Sequence, residues 1–348
     1  MAVSTIPIHE CEADVPEGLE GLAWREMKTT FGDRLERADT PARAGALRFQ
    51  YAGNPYQLLK LRTLQAVYSV RYFDIPRPKA LLGDEHFKAL LAQIRTARDL
   101  ASADAYKTLY LSAAGSDSSV MTRLKDELAA KTELAIGDEN GDLLIRVRRA
   151  GDGWETLVRL SPRPLATRAW RVCNREGALN AAVGYAMAVL SQPTDEDVFL
   201  NLGCGSGTLL IERLAAGAAK SVIGYDEDPR ALECALKNVE AAGYGGQIKL
   251  NQGDITDLPM ADKSVDVVAA DLPFGQLVGS HSSNVALYPA VLKEAARVVK
   301  PGGRGVFISH EVKLMDTLLD GSATWKIEQV VKVSLSGMHP RIWVLRRQ

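Results

Sequence analysis

The chain has 348 residues, 46% hydrophobic and 24% charged, with 42 Lys and Arg against 43 Asp and Glu. This is the composition of an ordinary globular protein long enough for two or three domains, and a net charge of −1 excludes a globally basic nucleic-acid binder, leaving room only for a local patch. No apolar run nears the ~18 residues that span a bilayer, and Met1 to Glu10 lacks a signal peptide's basic and apolar regions, so cytoplasmic residence is expected and a membrane is not.

From Ile6 to about Phe73 short apolar runs alternate with amphipathic stretches. Residues 18–27 have helical spacing, residues 46–51 alternate like a strand, and residues 58–70 return to a helical period. This reads as a small α+β unit, domain 1–75, ended by the turn-rich segment 75–79 with its two prolines. The pattern then repeats in kind over 76–163: helices near 87–96 and 118–130, strands at 108–112, 142–148 and 156–160, and a hairpin turn at Asp152-Gly153. Residues 161–164 close it, and 164–175 read as a linker.

From Glu176 to the end the reading changes to regular α/β alternation, which calls for a parallel sheet covered by helices. Seven strands are expected, at 198–202, 222–225, 248–251, 265–270, 305–308, 327–332 and 342–346. The gap between the last two is too short for a helical crossover, so the last strand should run antiparallel. Such a closing hairpin separates a methyltransferase-type Rossmann-like sheet from that of a dehydrogenase.

Two runs in this region carry chemistry. In Asn201-Leu-Gly-Cys-Gly-Ser-Gly-Thr208, Gly203, Gly205 and Gly207 follow the first strand and open a helix, 208–215, so the backbone can turn tightly and bring its free amides to a ligand. Asp226, nineteen residues past Gly207 at the end of the second strand, suits the two hydroxyls of a ribose. Asp254 ends the next strand, where it would lie beside an adenine ring; turn capping is its other reading. S-adenosylmethionine (AdoMet) fits this series better than NAD.

The second run, Asp271-Leu-Pro-Phe-Gly275, ends the fourth strand. An exocyclic amino nitrogen of a purine is a poor nucleophile, because its lone pair is delocalised into the ring. Asp271 can accept one N–H, the Leu272 carbonyl the other, Pro273 stiffens the turn and Phe274 can stack on the base. An ordinary strand-to-helix turn with a buried phenylalanine is the competing reading.

Eight arginines and no lysine lie between Leu143 and Arg175, facing only Asp152 and Glu155. Arg146, Arg148, Arg163, Arg168 and Arg171 are candidate RNA contacts, since a planar guanidinium suits phosphates and stacked bases. A solvated strand face paired with acidic neighbours is the alternative. Cys11, Cys173, Cys204 and Cys234 are isolated, and the five histidines are scattered, so no metal site is expected and the cysteines should be reduced.

These motifs, with Asp271 to Ser280 followed by Asn284 and Leu287-Tyr-Pro289, resemble the THUMP-containing tRNA guanine-N2 methyltransferases. Pro16 to Glu20 is similar to the opening of that family's ferredoxin-like domain, and Pro164 to Arg168 with Trp170-Arg171 to its interdomain segment. Asn201 departs from the aspartate many members carry. The resemblance implies a ferredoxin-like domain (1–75), a THUMP domain (76–163) that grips tRNA and a catalytic domain (176–348) that methylates a guanine N2 near the acceptor stem. Methylation of ribosomal RNA guanine or of a protein glutamine amide offers a similar planar amine, and a non-catalytic RNA-binding module is a reading of another class. Oligomeric state is not legible.

Overall fold

The computed structural model describes residues 7–38, 43–273, 281–334 and 337–348. Chain contacts divide it into two units, Met1–Val15 with Glu20–Ala166, and Pro16–Leu19 with Thr167–Gln348.

The first unit runs β1 (Ile8–Asp14), α1 (Glu20–Phe31), β2 (Leu35–Arg37), β3 (Ala46–Ala52), β4 (Ala66–Phe73), α2 (Asp84–Arg98), β5 (Thr108–Ala113), α3 (Ser119–Thr132), β6 (Ala135–Ile136), β7 (Leu143–Ala150) and β8 (Gly153–Arg159). Its eight strands form one sheet in the order β2-β3-β1-β4-β8-β7-β5-β6. The β4–β8 pairing, from Tyr68↔Arg159 to Phe73↔Trp154, carries this sheet across the expected boundary at residue 75.

The helix expected over 58–70 is not there. Pro55–Lys60 makes a short 3-10 turn capped by Asn54, whose side chain accepts the Tyr56 N–H at 3.0 Å, and residues from Ala66 enter β4. β4 lies between β1 and β8, and Ala66, Val67 and Tyr68 are all buried. A strand buried on both faces has no polar alternation, and its short apolar run cannot be told from a buried helix by period alone. β1, β2 and β6 are further strands beyond those expected, and β2 and β6 span only three and two residues.

A lattice of charge crosses this sheet. Arg148 donates to Glu12 at 3.0 Å, Arg48 to Glu155 at 3.0 Å, and Arg146 to Asp14 at 2.9 Å, with its guanidinium 4.3 Å from the Tyr68 ring centroid. Hydrogen-bonded opposite charges that reach across intervening strands offset the desolvation that burial would otherwise impose.

The second unit begins with Pro16–Leu19, tied by a bridge between Glu17 and Ser334. Gly18 there has φ +93°, and a Cβ would stand 1.8 Å from the Lys332 carbonyl oxygen, so only glycine fits. The unit continues α4 (Ala181–Leu190), β9 (Val198–Leu202), α5 (Thr208–Ala215), β10 (Ser221–Asp226), α6 (Pro229–Ala241), β11 (Ile248–Gln252), β12 (Val265–Asp271), α7 (His281–Val298), β13 (Val299–Ser309), α8 (Val312–Leu319), β14 (Trp325–Lys332) and β15 (Arg341–Arg347). The strands order as β11-β10-β9-β12-β13-β15-β14, parallel from β11 to β13, with β15 antiparallel to both its neighbours. The seven-stranded methyltransferase-type sheet and its closing hairpin are those expected. Leu200, Val268, Phe307 and Trp343 are buried from the strands against Val291 and Ala295 of α7. Asn180 caps α4, and Asp228 caps α6 with Pro229 in the first turn.

One expectation about cysteine is overturned. Cys173 and Cys234 form a disulfide with 5.4 Å between their Cα atoms, while Cys11 and Cys204 are free and buried. The partners are 61 residues apart, a spacing that carries no signal. They meet because Asn238 of α6 clamps the segment before α4, accepting the Cys173 N–H at 2.9 Å and donating to the Cys173 carbonyl at 2.9 Å.

Candidate active site

In the second unit the strand order reverses between β9 and β12, because the chain goes from β9 to β10 on one side and returns to β12 on the other. The carboxyl ends of strands at such a switch point leave a crevice that no crossover covers. A cleft of about 440 Å³ opens there, lined by the turn after β9, the ends of β10 and β12, Gly253 to Ile255, and residues 175–179.

β9 ends in the glycine turn. Gly203, Gly205 and Gly207 have φ of +62°, +53° and +82°, a region side chains disfavour. A Cβ on Gly203 or Gly205 would meet no atom within 4 Å, so both leave open space at the cleft, whereas one on Gly207 would press Ala235 of α6 at 3.3 Å. The first two glycines thus make room for a ligand and the third for a helix.

Asp226 ends β10 and accepts the Gly205 N–H at 2.8 Å and the Asp228 N–H at 3.0 Å, one on each carboxylate oxygen. Each oxygen keeps a lone pair for a hydroxyl. Asp254 turns its Oδ1 to the Thr256 N–H and hydroxyl, both at 2.7 Å, and these bonds hold its carboxyl below the usual range. It lines the cleft while making the turn, so both sequence readings of this residue describe it.

Asn201 is 1% exposed, its amide donating to the Ala269 carbonyl at 3.1 Å and the Leu202 carbonyl at 3.3 Å. Its Oδ1 is sealed with no partner among the described residues. The same holds for Asp271 at the end of β12: the residue keeps a partly exposed edge, yet Oδ1 is buried without a hydrogen bond, and burial pushes its pKa up to about 7. Both residues line the cleft, as do Leu272 and Pro273. Phe274, the expected stacking residue, lies outside the described residues.

Sequence reasoning gave no role to three residues that hold this loop. The Pro273 carbonyl accepts from Asn284 Nδ2 at 2.9 Å and from Tyr288 Oη at 2.6 Å, and Tyr288 Oη meets Ser309 Oγ at 2.6 Å. Asn284 and Tyr288 stood within the quoted motif; Ser309 gave no signal, because it is placed by its strand.

The arginine tract divides. Arg146 and Arg148 are engaged by Asp14, Glu12 and Glu155 in the sheet lattice. Arg168 pairs with the buried Glu212 at 2.9 Å, and Arg171 donates to the Leu179 carbonyl and the Thr208 hydroxyl, both at 2.9 Å, beside the Trp170 ring. These four hold strands and the segment before α4 in place. Arg163 is exposed.

The cleft's charge selects its ligand. Among the described residues, Glu176, Asp226, Glu227, Asp228, Asp254 and Asp271 line it against Arg175 alone, which pairs with Asp228 at 2.6 Å. A pyrophosphate would be repelled there, while a ligand with a ribose, an ammonium and a sulfonium meets hydroxyl acceptors and oxygens that have no partner among the described residues. The residues present therefore fit AdoMet.

Comparisons with known proteins agree. The family model described as RMKL-like, methyltransferase domain matches residues 168–341, half of the chain. A mouse protein named tRNA (guanine(6)-N(2))-methyltransferase THUMP3 is 33% identical over 182 residues, 49% of this chain, and one from Methanocaldococcus jannaschii named tRNA (guanine(6)-N2)-methyltransferase is 23% identical over 252 residues, 61% of this chain and 65% of that one. The match spans 36% of the mouse protein's length, about a third. Among solved structures, TrmN from Thermus thermophilus superposes with a TM-score of 0.75 at 22% identity over 98% of this chain and 100% of that one, and SMU.472, solved as a complex with SAH, with 0.69 at 15% over 98% of each. These likenesses show the fold. On the match over residues 168–341, the chain belongs to the RMKL-like methyltransferase domain family.

Proposed function

We propose that the protein transfers a methyl group from AdoMet to the exocyclic N2 of a guanine in tRNA, in or near the acceptor stem. The observation that carries this reading is the buried Oδ1 of Asp271, without a partner among the described residues, beside Leu272 and Pro273 in a cleft shaped for the methyl donor. The names of the curated relatives, guanine-N2 methyltransferases of tRNA and of U6 snRNA, support the acceptor.

When bound, AdoMet supplies a methyl group already activated on a sulfonium, so the chain's own task is placement and exclusion of water. Asp271 accepts one N–H of the amine, and the Leu272 carbonyl the other, which draws the nitrogen lone pair out of the ring. As the N–C bond forms and the C–S bond breaks, Asp271 takes the departing proton, a role suited to a carboxyl whose pKa burial has raised to about 7. Phe274 stacks on the extruded base. Asp226 holds the ribose and the glycine turn together, and Asn201 offers its free Oδ1 to the donor's polar end. Cys204 takes no part: burial holds its thiol protonated.

In this reading residues 1–75 are the ferredoxin-like domain and 76–163 the THUMP domain that binds tRNA, in the cytoplasm. Arg163 is its exposed phosphate contact, with Arg146, Arg148, Arg168 and Arg171 contributing through the surfaces they shape. The test is incubation of the purified protein with labelled AdoMet and, separately, unmodified tRNA, ribosomal RNA and a release factor. Label in tRNA guanosine supports the reading; label only in a protein glutamine would replace it.

A further inference from the structure

Tyr288 sits fully buried on α7, yet its hydroxyl is bonded on two sides to groups at the ends of neighbouring strands. Donor accounting gives these bonds one direction. The Glu311 N–H donates to Ser309 Oγ at 2.9 Å, and a carbonyl can only accept, so the single phenolic proton goes to the Pro273 oxygen and the Ser309 hydroxyl donates to Tyr288 Oη. The relay runs Glu311 N–H, Ser309, Tyr288, Pro273 carbonyl, with Asn284 as a second donor at its end. A tyrosine held neutral suits this, and burial lifts the Tyr288 pKa to about 12.

The relay acts on the acceptor loop from one side only. On the other, the Leu272 N–H is fixed by the Ile308 carbonyl at 3.0 Å, extending the β12–β13 ladder. Between the two anchors lie one carbonyl, that of Leu272, and the ring of Pro273, which locks its own φ. With both ends held, the Leu272 peptide plane has no freedom to rotate away from the amine. Resting on the proposed amine methylation, we infer that Tyr288, oriented by Ser309 and assisted by Asn284, is a positioning residue that fixes the Leu272 carbonyl and Asp271 as a rigid pair of acceptors. Two donors from one helix on a single carbonyl exceed what a simple turn needs.

The experiment compares wild type with Tyr288→Phe, Ser309→Ala and the double variant, using whichever acceptor wild type methylates. A wild-type product other than N2-methylguanosine overturns the substrate reading, and the ratio of variant to wild type on that product still decides the relay. Tyr288→Phe should lower kcat about 100-fold, the loss expected for a misplaced reacting group, with AdoMet affinity and the KM for RNA changed less than about twofold. Ser309→Ala should lower kcat about 10-fold by freeing the phenol to rotate, and the double variant should be no slower than Tyr288→Phe, since both act through one bond. Ser309→Ala leaves the phenol in place and carries the test by itself if the phenylalanine variant fails to fold. Unchanged kcat with a lowered melting temperature, or multiplicative effects in the double variant, would overturn the inference.

Discussion

The Asp226 carboxylate accepts the backbone N–H of Gly205 at 2.8 Å, tying the end of β10 to the turn that follows β9. One side chain therefore both sets the loop's shape and faces the cleft. Asp226→Ala should cost AdoMet affinity on both counts, about 10- to 100-fold, as expected when a charged acceptor of hydrogen bonds is lost. Calorimetric titration with AdoMet checks this, and affinity within threefold of wild type would contradict it.

The two classes of arginine should respond in opposite ways. The Arg168 side chain is 8% exposed and its partner Glu212 0%, so Arg168→Ala removes a charged hydrogen-bond partner from a buried carboxylate and should destabilise the fold by about 1.5–3 kcal/mol. Arg163→Ala should leave stability within about 0.5 kcal/mol and reduce the salt slope of tRNA binding by about 1. Urea melts and binding isotherms at several salt concentrations separate these outcomes.

Much of the second unit was legible in the sequence because its signals are local. A glycine turn between a strand and a helix, an acid at the end of the next strand, and an Asp-Leu-Pro run each declare a backbone geometry within a few residues. The arginine tract shows the limit. Arg146 and Arg148 read as a basic strip because their partners Asp14, Glu12 and Glu155 come from other strands, and two of these lie more than 130 residues away. β4 is hidden for the related reason that burial of both faces over Ala66 to Tyr68 erases the alternation that marks a strand. Ser309 and the Cys173–Cys234 bridge depend on contacts between distant elements, which no spacing encodes.

The disulfide should matter more to stability than to ligand binding. Its 61-residue separation predicts about 4 kcal/mol from restricting the unfolded chain. The Asn238 clamp on both backbone groups of Cys173, with a further bond to the Ser206 carbonyl at 2.9 Å, keeps the segment docked without the bridge. Cys173→Ser should therefore lower the melting temperature while AdoMet affinity changes less than about threefold. Affinity that falls in step with stability would show that the bridge, not the clamp, shapes the cleft.

Asp271 gives a pH dependence with a defined sign. Its folded-state pKa of about 7 lies above its ordinary value of 3.8, so the folded protein holds a proton there that the unfolded chain has lost. The group's contribution to stability is present below about pH 4, declines as pH rises and is gone above about pH 7. Asp271→Asn, which cannot ionise, should be more stable than wild type at pH 8, the difference vanishing at pH 4. In the proposed mechanism the carboxylate is the proton acceptor, so kcat/KM should rise through an acidic limb near pH 7 in wild type.

The proposed reaction turns on Asp271 receiving a proton from a guanine amine beside bound AdoMet, and mass spectrometry of nucleosides from tRNA treated with the purified protein tests this most directly. It predicts N2-methylguanosine with wild type and, with Asp271→Asn at unchanged AdoMet affinity, a rate lower by about 100-fold or more. Wild-type product on any other nucleoside, or Asp271→Asn turning over at the wild-type rate, would contradict it.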